Sequence, residues 1–230
     1  MLIAADIMTP SVITVVPDTP VREIAKLLCA RRISGVPVVD PNGAIVGIVS
    51  EGDLMKHVGA IGEQRRSWWL RLFADESTLA RDYSKTHARV ARDVMTSGLV
   101  KVTPTASVAE IANMLERHHI KRVPVVQDGR LVGIVTRANL LQALGTTDVS
   151  RSVSVDDRTI RERLLAEFDA QPWAHMLAKN VIVRNGVVHL WGFVENEDER
   201  QAFRVAAESM PGVKTVEDHL ARSPVGRGAA

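Results

Sequence analysis

Cysteine is almost absent. Cys29 stands alone among 230 residues, so no intramolecular disulfide can form and a reducing compartment is the natural home. It falls in the run Ile24-Ala25-Lys26-Leu27-Leu28-Cys29, which places it as a small core residue rather than a nucleophile. Aromatic residues are scarce at 4% and unevenly placed. Trp68, Trp69, Phe73 and Tyr83 lie mid-chain, and Phe168, Trp173, Trp191, Phe193 and Phe203 lie toward the C-terminus. The two long stretches without them must build their cores from Val, Ile, Leu and Met. Any ring bound there is held between aliphatic side chains. Charge of one sign is also lacking. A net charge of +2, with no long Lys or Arg run, gives no reason to expect nucleic acid. There is no charge-free apolar segment of about 18 residues to span a membrane. The start, Met1-Leu2-Ile3-Ala4-Ala5-Asp6, has no basic region or cleavage site, and a cytoplasmic location is expected. Without a nucleophile–base pair, a metal-ligand set or a Walker-type loop, a non-enzymatic role is expected.

What is present is a repeat. Asp6-Ile7-Met8-Thr9 returns as Asp93-Val94-Met95-Thr96, Val15-Val16-Pro17 as Val102-Thr103-Pro104, and Val36-Pro37-Val38-Val39 as Val123-Pro124-Val125-Val126. Gly47-Ile48-Val49-Ser50 then matches Gly133-Ile134-Val135-Thr136, after one residue is lost in the turn Asp40-Pro41-Asn42-Gly43 versus Gln127-Asp128-Gly129. Two copies of a small unit normally complete a core together. Each copy reads as strand, helix, strand, strand, helix. Val21, Ile24, Leu27 and Leu28, and likewise Val108, Ile111, Met114 and Leu115, have helical spacing; β-branched runs around Asn42-Gly43 and Asp128-Gly129 read as hairpins. The near-continuous apolar character of these strands predicts burial on both faces.

These paired Met-Thr starts, Val-Pro-Val-Val strands and Gly-Ile-Val-Ser/Thr turns resemble a tandem pair of CBS domains, a Bateman module. The resemblance covers about residues 1–145. It implies a regulatory module that binds an adenosine-containing ligand (AMP or ATP, NAD or S-adenosylmethionine) between the repeats and commonly forms a homodimer. The residues carry the same chemistry. Ser50 follows a buried strand at a helix start, where backbone N–H groups favour an anion. Three residues on, Asp53 offers two carboxylate oxygens to a ribose cis-diol. The plainer alternative is that Ser50-x-x-Asp53 is a helix capping box worth about 1 kcal/mol, and the two roles are compatible. In the second copy Thr136-Arg137-Ala138-Asn139 replaces the carboxylate with an amide, so a second cleft that is weaker, altered in specificity or empty is expected. By resemblance, Val100 and Lys101 line the Ser50–Asp53 cleft beside Ser34, Gly35 and Val36. Ser11, Val12, Ile13 and Thr14 line the Thr136–Asn139 cleft beside Lys121, Arg122 and Val123. Lys101, Lys121, Arg122 and Arg137 are candidate phosphate partners or solvated surface charges. His118-His119 lacks a third ligand at helical spacing and reads as a helix C-terminus, not a metal site.

The organisation expected is repeat 1 over 1–56, an inserted segment over 57–90, repeat 2 over 91–147, and a third domain over 155–222. The inserted Arg65-Arg66-Ser67-Trp68-Trp69-Leu70-Arg71-Leu72-Phe73 suits packing or dimerisation, a protein partner or a membrane surface. In the third domain, Ile160, Leu164, Leu165 and Phe168 share a helical face, and Asn185-Gly186 marks a type I′ hairpin. Asn196 caps a second helix three residues before Glu199, and Val213 to Leu220 forms a last strand. Its Gly-Val-Val-x-Leu-x-Gly-x-Val core resembles a BON domain, which implies a protein or phospholipid partner. His189 and Trp191 share one strand face and read as packing before ligand contact. The fold class expected is α+β: two β-α-β-β-α repeats followed by a small α-β-β-α-β sandwich. A structural adaptor without nucleotide sensing is the alternative function.

Overall fold

The computed structural model describes residues 2–56, 90–146, 154–174 and 177–223. The Trp68-Trp69 segment and the rest of 57–89 lie outside the described residues. The chain is α+β and forms two compact units, residues 12–100 with 128–131, and residues 1–11 with 101–127 and 132–230.

In the smaller unit, α2 (Val21–Arg31; α1 is the short helix Ala4–Ile7 of the larger unit) starts after Pro20 and ends at Arg32, whose φ of 49° is left-handed. The strands β1 (Gly35–Val39) and β2 (Ile45–Ser50) pair antiparallel, Gly35 opposite Ser50. Asp40 Oδ1 accepts from the N–H groups of Asn42 and Ala44, both at 2.9 Å, and closes the turn. The strand expected before α2 shrinks to one bridging residue, Val15, parallel to Val38. Pro17, two residues on, has no N–H to extend that ladder. Burial is continuous along β1 but alternates along β2, so only β1 is covered on both faces. Cys29 is exposed, against expectation. Only Ile24 and Leu28 of α2 are buried, and one residue further around the helix points about 100° away from Leu28.

The core of Val15, Ile24, Leu28, Val36, Val38 and Val49 is completed by Ala91, from the start of the second repeat. There α4 (Ala91–Val94) docks through Ala91 N–H to the Thr19 carbonyl at 2.8 Å, and Thr96 exchanges two backbone hydrogen bonds with Ile48. The helix α3 (residues 51–56) follows β2 directly. A Cβ at Gly47 would collide with the Met95 thioether, so the bare glycine is the seat on which Met95 rests.

The larger unit mirrors this. Here α1 packs with the second repeat: Ala4 N–H donates to the Ala106 carbonyl at 2.8 Å, and Thr9 exchanges backbone hydrogen bonds with Ile134, both 3.0 Å. The Met8 thioether occupies the space over Gly133. The helix α5 (Val108–Arg117) begins with a complete capping box between Ser107 and Glu110 and ends at His118, the helix C-terminus expected for His118-His119. The hairpin strands β3 (Arg122–Gln127) and β4 (Arg130–Thr136) lead into α6 (Arg137–Gly145). Val102 is again a lone bridge, to Val125, with Pro104 two residues on.

The C-terminal part of this unit runs α7 (Val155–Ala170), β5 (Leu177–Arg184), β6 (Val187–Val194), α8 (Glu197–Glu208), β7 (Thr215–Arg222). The sheet order is β5-β6-β7, with β5 antiparallel and β7 parallel to β6. Asn185 and Gly186 have φ of 52° and 79°, the positive pair that a type I′ turn needs. The helices cover one sheet face around Ile160, Leu164, Phe168, Val181, Val188, Leu190 and Phe203. Asn180, Ile182, Arg184 and His189 are also buried but lie on the other sheet face, where Asn180 donates to Gln142 of α6 at 2.8 Å and the Trp191 ring lies beside Gly145. Burial pushes the His189 imidazole below its ordinary value; His219 and Arg184 act the same way, and Glu217 opposes them.

Asp157, 3% exposed, ties α7 to the β5–β6 turn by accepting from Gly186 N–H at 2.8 Å and Asn185 N–H at 2.9 Å. Burial alone would raise its carboxyl, but these amides and Ser154 outweigh it and hold it below the usual range. A depressed folded-state pKa gives stability that is full above the unfolded value of about 3.9 and disappears as pH falls through the native value. Asp157→Ala is expected to cost about 1–3 kcal/mol near neutral pH. Denaturant melts at pH 7 and below pH 3 should show the difference shrinking in acid.

Candidate functional site

Each repeat ends its hairpin in a hydroxyl residue followed, three residues on, by a side-chain acceptor. In the smaller unit Asp53 Oδ2 accepts both from the Ser50 N–H at 2.9 Å and from the Ser50 hydroxyl at 2.6 Å. Its other oxygen, Oδ1, has among the described residues only the Thr96 hydroxyl, at 3.4 Å. In the larger unit Asn139 Oδ1 accepts from Thr136 N–H at 2.8 Å and from the Thr136 hydroxyl at 2.7 Å, and the Asn139 amide nitrogen faces Thr9 Oγ1 at 3.5 Å. Both pairs are therefore helix caps. The Ser50 hydroxyl hydrogen goes to Asp53, so a ligand phosphate would have to displace that bond to use it.

The electrostatics of the two boxes differ. Asp53 is half-buried and keeps an oxygen with spare acceptor capacity, since a carboxylate oxygen has two lone pairs. Asn139 is 4% exposed, its one oxygen is doubly engaged, and only N–H hydrogens remain to offer.

The other residues singled out in the sequence divide as follows. Ser34, Gly35 and Val36 lie beside the first box, Gly35 opposite Ser50 and the Ser34 carbonyl accepting from Glu51 N–H at 3.1 Å. Val100 is in the same unit. Lys121, Arg122 and Val123 accompany the second box, the Lys121 carbonyl accepting from Arg137 N–H at 3.2 Å. Lys101 belongs to a different unit from Asp53, and Val12, Ile13 and Thr14 to a different unit from Asn139. Ser11 shares the unit of Asn139 but donates to Asp169 of α7 at 2.9 Å.

Two groups escaped the sequence reading. Thr9 and Thr96, the polar members of the Met-Thr repeat, each reach the box of the other repeat; their recurrence was the available signal. The second group is a charged joint. Asp6, 3% exposed, receives Arg158 bidentately, Nε to Oδ1 at 2.7 Å and Nη2 to Oδ2 at 3.2 Å, together with the Ile3 N–H at 3.0 Å. Arg161 donates to the Met8 carbonyl at 2.6 Å and to the Val181 carbonyl at 2.7 Å. Burial lowers the Arg161 guanidinium to about 10, against the pull of Asp6 and Glu162. The segment that bears Thr9 is thereby fastened to α7 and β5. A separate apolar groove of about 690 Å³ lies between α5 and α6, lined by Leu2, Val108, Ala112, Leu140, Leu141 and Leu144; Leu141 and Leu144 are 68% and 60% exposed.

Duplicated hairpins with capped helix starts, joined to a three-stranded α-β-β-α-β sandwich, define a tandem CBS pair followed by a BON domain. Family models agree: CBS domain matches residues 4–60 and 91–146, and BON domain matches 156–224. The chain belongs to the CBS-domain family. It is 34% identical over 148 residues to the chloroplastic CBS domain-containing protein CBSX2 of Arabidopsis thaliana, covering 60% of this chain and 61% of that one. It is 30% identical over 155 residues to the uncharacterized protein MJ1426 of Methanocaldococcus jannaschii, covering 63% of this chain and 92% of that one. The chain thus spans less than two thirds of CBSX2's length. A crystal structure of CBSX2 in complex with AMP superposes with a TM-score of 0.52 at 30% identity, over 64% of this chain and 98% of that one.

The caps separate the two roles of Asp53. Asp53→Ala removes the acceptor of two Ser50 hydrogens and is expected to cost about 0.5–2 kcal/mol. Asp53→Asn, which installs the side chain that already caps at Asn139, is expected to stay within about 0.5 kcal/mol of the parent. Thermal denaturation of both variants checks this.

Proposed function

We propose that this chain is a non-catalytic regulatory module in which Asp53 grips the ribose diol of an adenosine-containing ligand and the charged joint carries the response to the BON domain. The reading rests on the Oδ1 atom of Asp53, a carboxylate oxygen with one long contact among the described residues, on a half-buried helix start. Oδ1 has room to accept from a ribose hydroxyl, a second would have to displace a Ser50 hydrogen from Oδ2, and the AMP complex of CBSX2 supports an adenosine ligand. AMP or ATP is the first choice, with NAD and S-adenosylmethionine as alternatives. The Asn139 box, with no free acceptor, cannot hold a diol in the same way. Ser34, Gly35, Val36, Val100 and Lys101 are proposed to complete the first cleft. Ser11, Val12, Ile13, Thr14, Lys121, Arg122, Val123, Thr136 and Arg137 are proposed around the second.

The proposed route of response starts at Thr9 beside Asn139, passes to Asp6 and the Met8 carbonyl, and reaches α7 and β5 through Arg158 and Arg161. A ligand shifts such an arrangement only as far as it prefers one state over another. The exposed Leu141 and Leu144 support a homodimer through α5 and α6, which sedimentation velocity should register as twice the chain mass, and a monomer would refute.

Thermal shift with AMP, ATP, NAD and S-adenosylmethionine tests the ligand. A saturable rise for at least one, lost in the stable Asp53→Asn chain, is expected. A rise that survives the substitution refutes Asp53 as the ribose reader; no rise with any compound refutes the sensor and favours an adaptor. The relay has its own measurement. Ligand-induced change in amide exchange within β5 should vanish in Arg158→Ala while the thermal rise persists, and an unaltered exchange response would refute the joint as the route.

A further inference from the structure

The sheet face turned away from α7 and α8 carries a cluster that the regulatory reading does not use. The parallel register sets His189 opposite Glu217 and Trp191 opposite His219, so three donors converge where the central strand meets β7. His189 Nδ1 lies 3.2 Å from Glu217 Oε2 and 3.3 Å from His219 Nε2, and His219 Nε2 lies 3.6 Å from Glu217 Oε2. We propose that His189, Glu217 and His219 form a binding site for a divalent d-block cation, zinc first.

Bonds of about 2.0–2.1 Å at tetrahedral angles separate ligand atoms by about 3.3 Å, so these three spacings are those of three corners around one ion. Two imidazoles and one carboxylate are a donor set for zinc, copper, nickel or iron, and a poor one for calcium or magnesium. The fourth corner faces solvent, since the Glu217 side chain is 52% exposed and that of His219 30%, while His189 at 6% forms the floor. The planes of the two imidazoles lie within 7° of each other, and the facing nitrogens stand at the separation of a shared proton. A cation takes the place of that proton as the rings turn their lone pairs onto it. Trp191 stacks on His219 at 4.0 Å and holds that ring in place. The neighbouring Arg184 guanidinium opposes a cation here, and the Glu217 carboxylate offsets it.

Calorimetric titration of the metal-free full chain with Zn²⁺ alone tests the site. One saturable equivalent is expected, weakened at least tenfold by His219→Ala and by Glu217→Gln and unchanged by His118→Ala/His119→Ala. Glu217→Gln keeps the shape of an exposed side chain, so its fold, checked by circular dichroism, gives a clean reading even if His219→Ala unfolds. Co²⁺ in place of Zn²⁺ should give the intense visible bands of a four-coordinate ion. No saturable binding, binding indifferent to Glu217→Gln, or binding lost with His118 and His119 overturns the proposal. The outcome does not depend on whether Asp53 reads a ribose.

Discussion

The exchange of Met-Thr segments between the repeats is the constraint on which this architecture rests. A thioether can lie flat on a strand only where the strand has no Cβ, and Gly47 and Gly133 provide that gap. Once Met95 and Met8 are seated, the following threonines have no freedom of their own. Two backbone hydrogen bonds fix Thr96 to Ile48 and two fix Thr9 to Ile134. Each hydroxyl then falls beside the cap residue of the other repeat, and this places a residue from one end of the duplication at the helix cap of the other.

Much of this was legible in the chain. The duplicated motifs announced the two repeats, and Asn42-Gly43, Asp128-Gly129 and Asn185-Gly186 marked turns because few residues tolerate a positive φ. Asn196 with Glu199 gave a helix start through a local hydrogen bond. What escaped was set by contacts distant in sequence. Nothing near Asp6 points to Arg158, and nothing near His189 points to His219, because the β6–β7 register is decided only after α8 has crossed the sheet. Cys29 is exposed, and its sequence hid this for another reason: an apolar run shows that a helix has a buried face without showing how wide it is. The Asp53 box was legible as a motif. That its hydroxyl would be committed to its own carboxylate was not.

The two boxes also show how one atom separates chemical roles without disturbing a fold. Asp53 and Asn139 cap their helices with the same pair of hydrogen bonds, so either satisfies the backbone. They differ in what is left over, an anionic acceptor in one case and an amide donor in the other. The asymmetry of the pair therefore lies in chemistry left free by identical local structure.

The seating of each thioether in the opposite copy also has a consequence for how such chains can diverge or be recombined. Neither copy, transplanted alone into a foreign host, would carry the methionine that fills its own glycine gap. A hybrid keeps its cores only if the crossover moves the complementary leader together with the body it covers, so inheritance must act on the duplication as a whole.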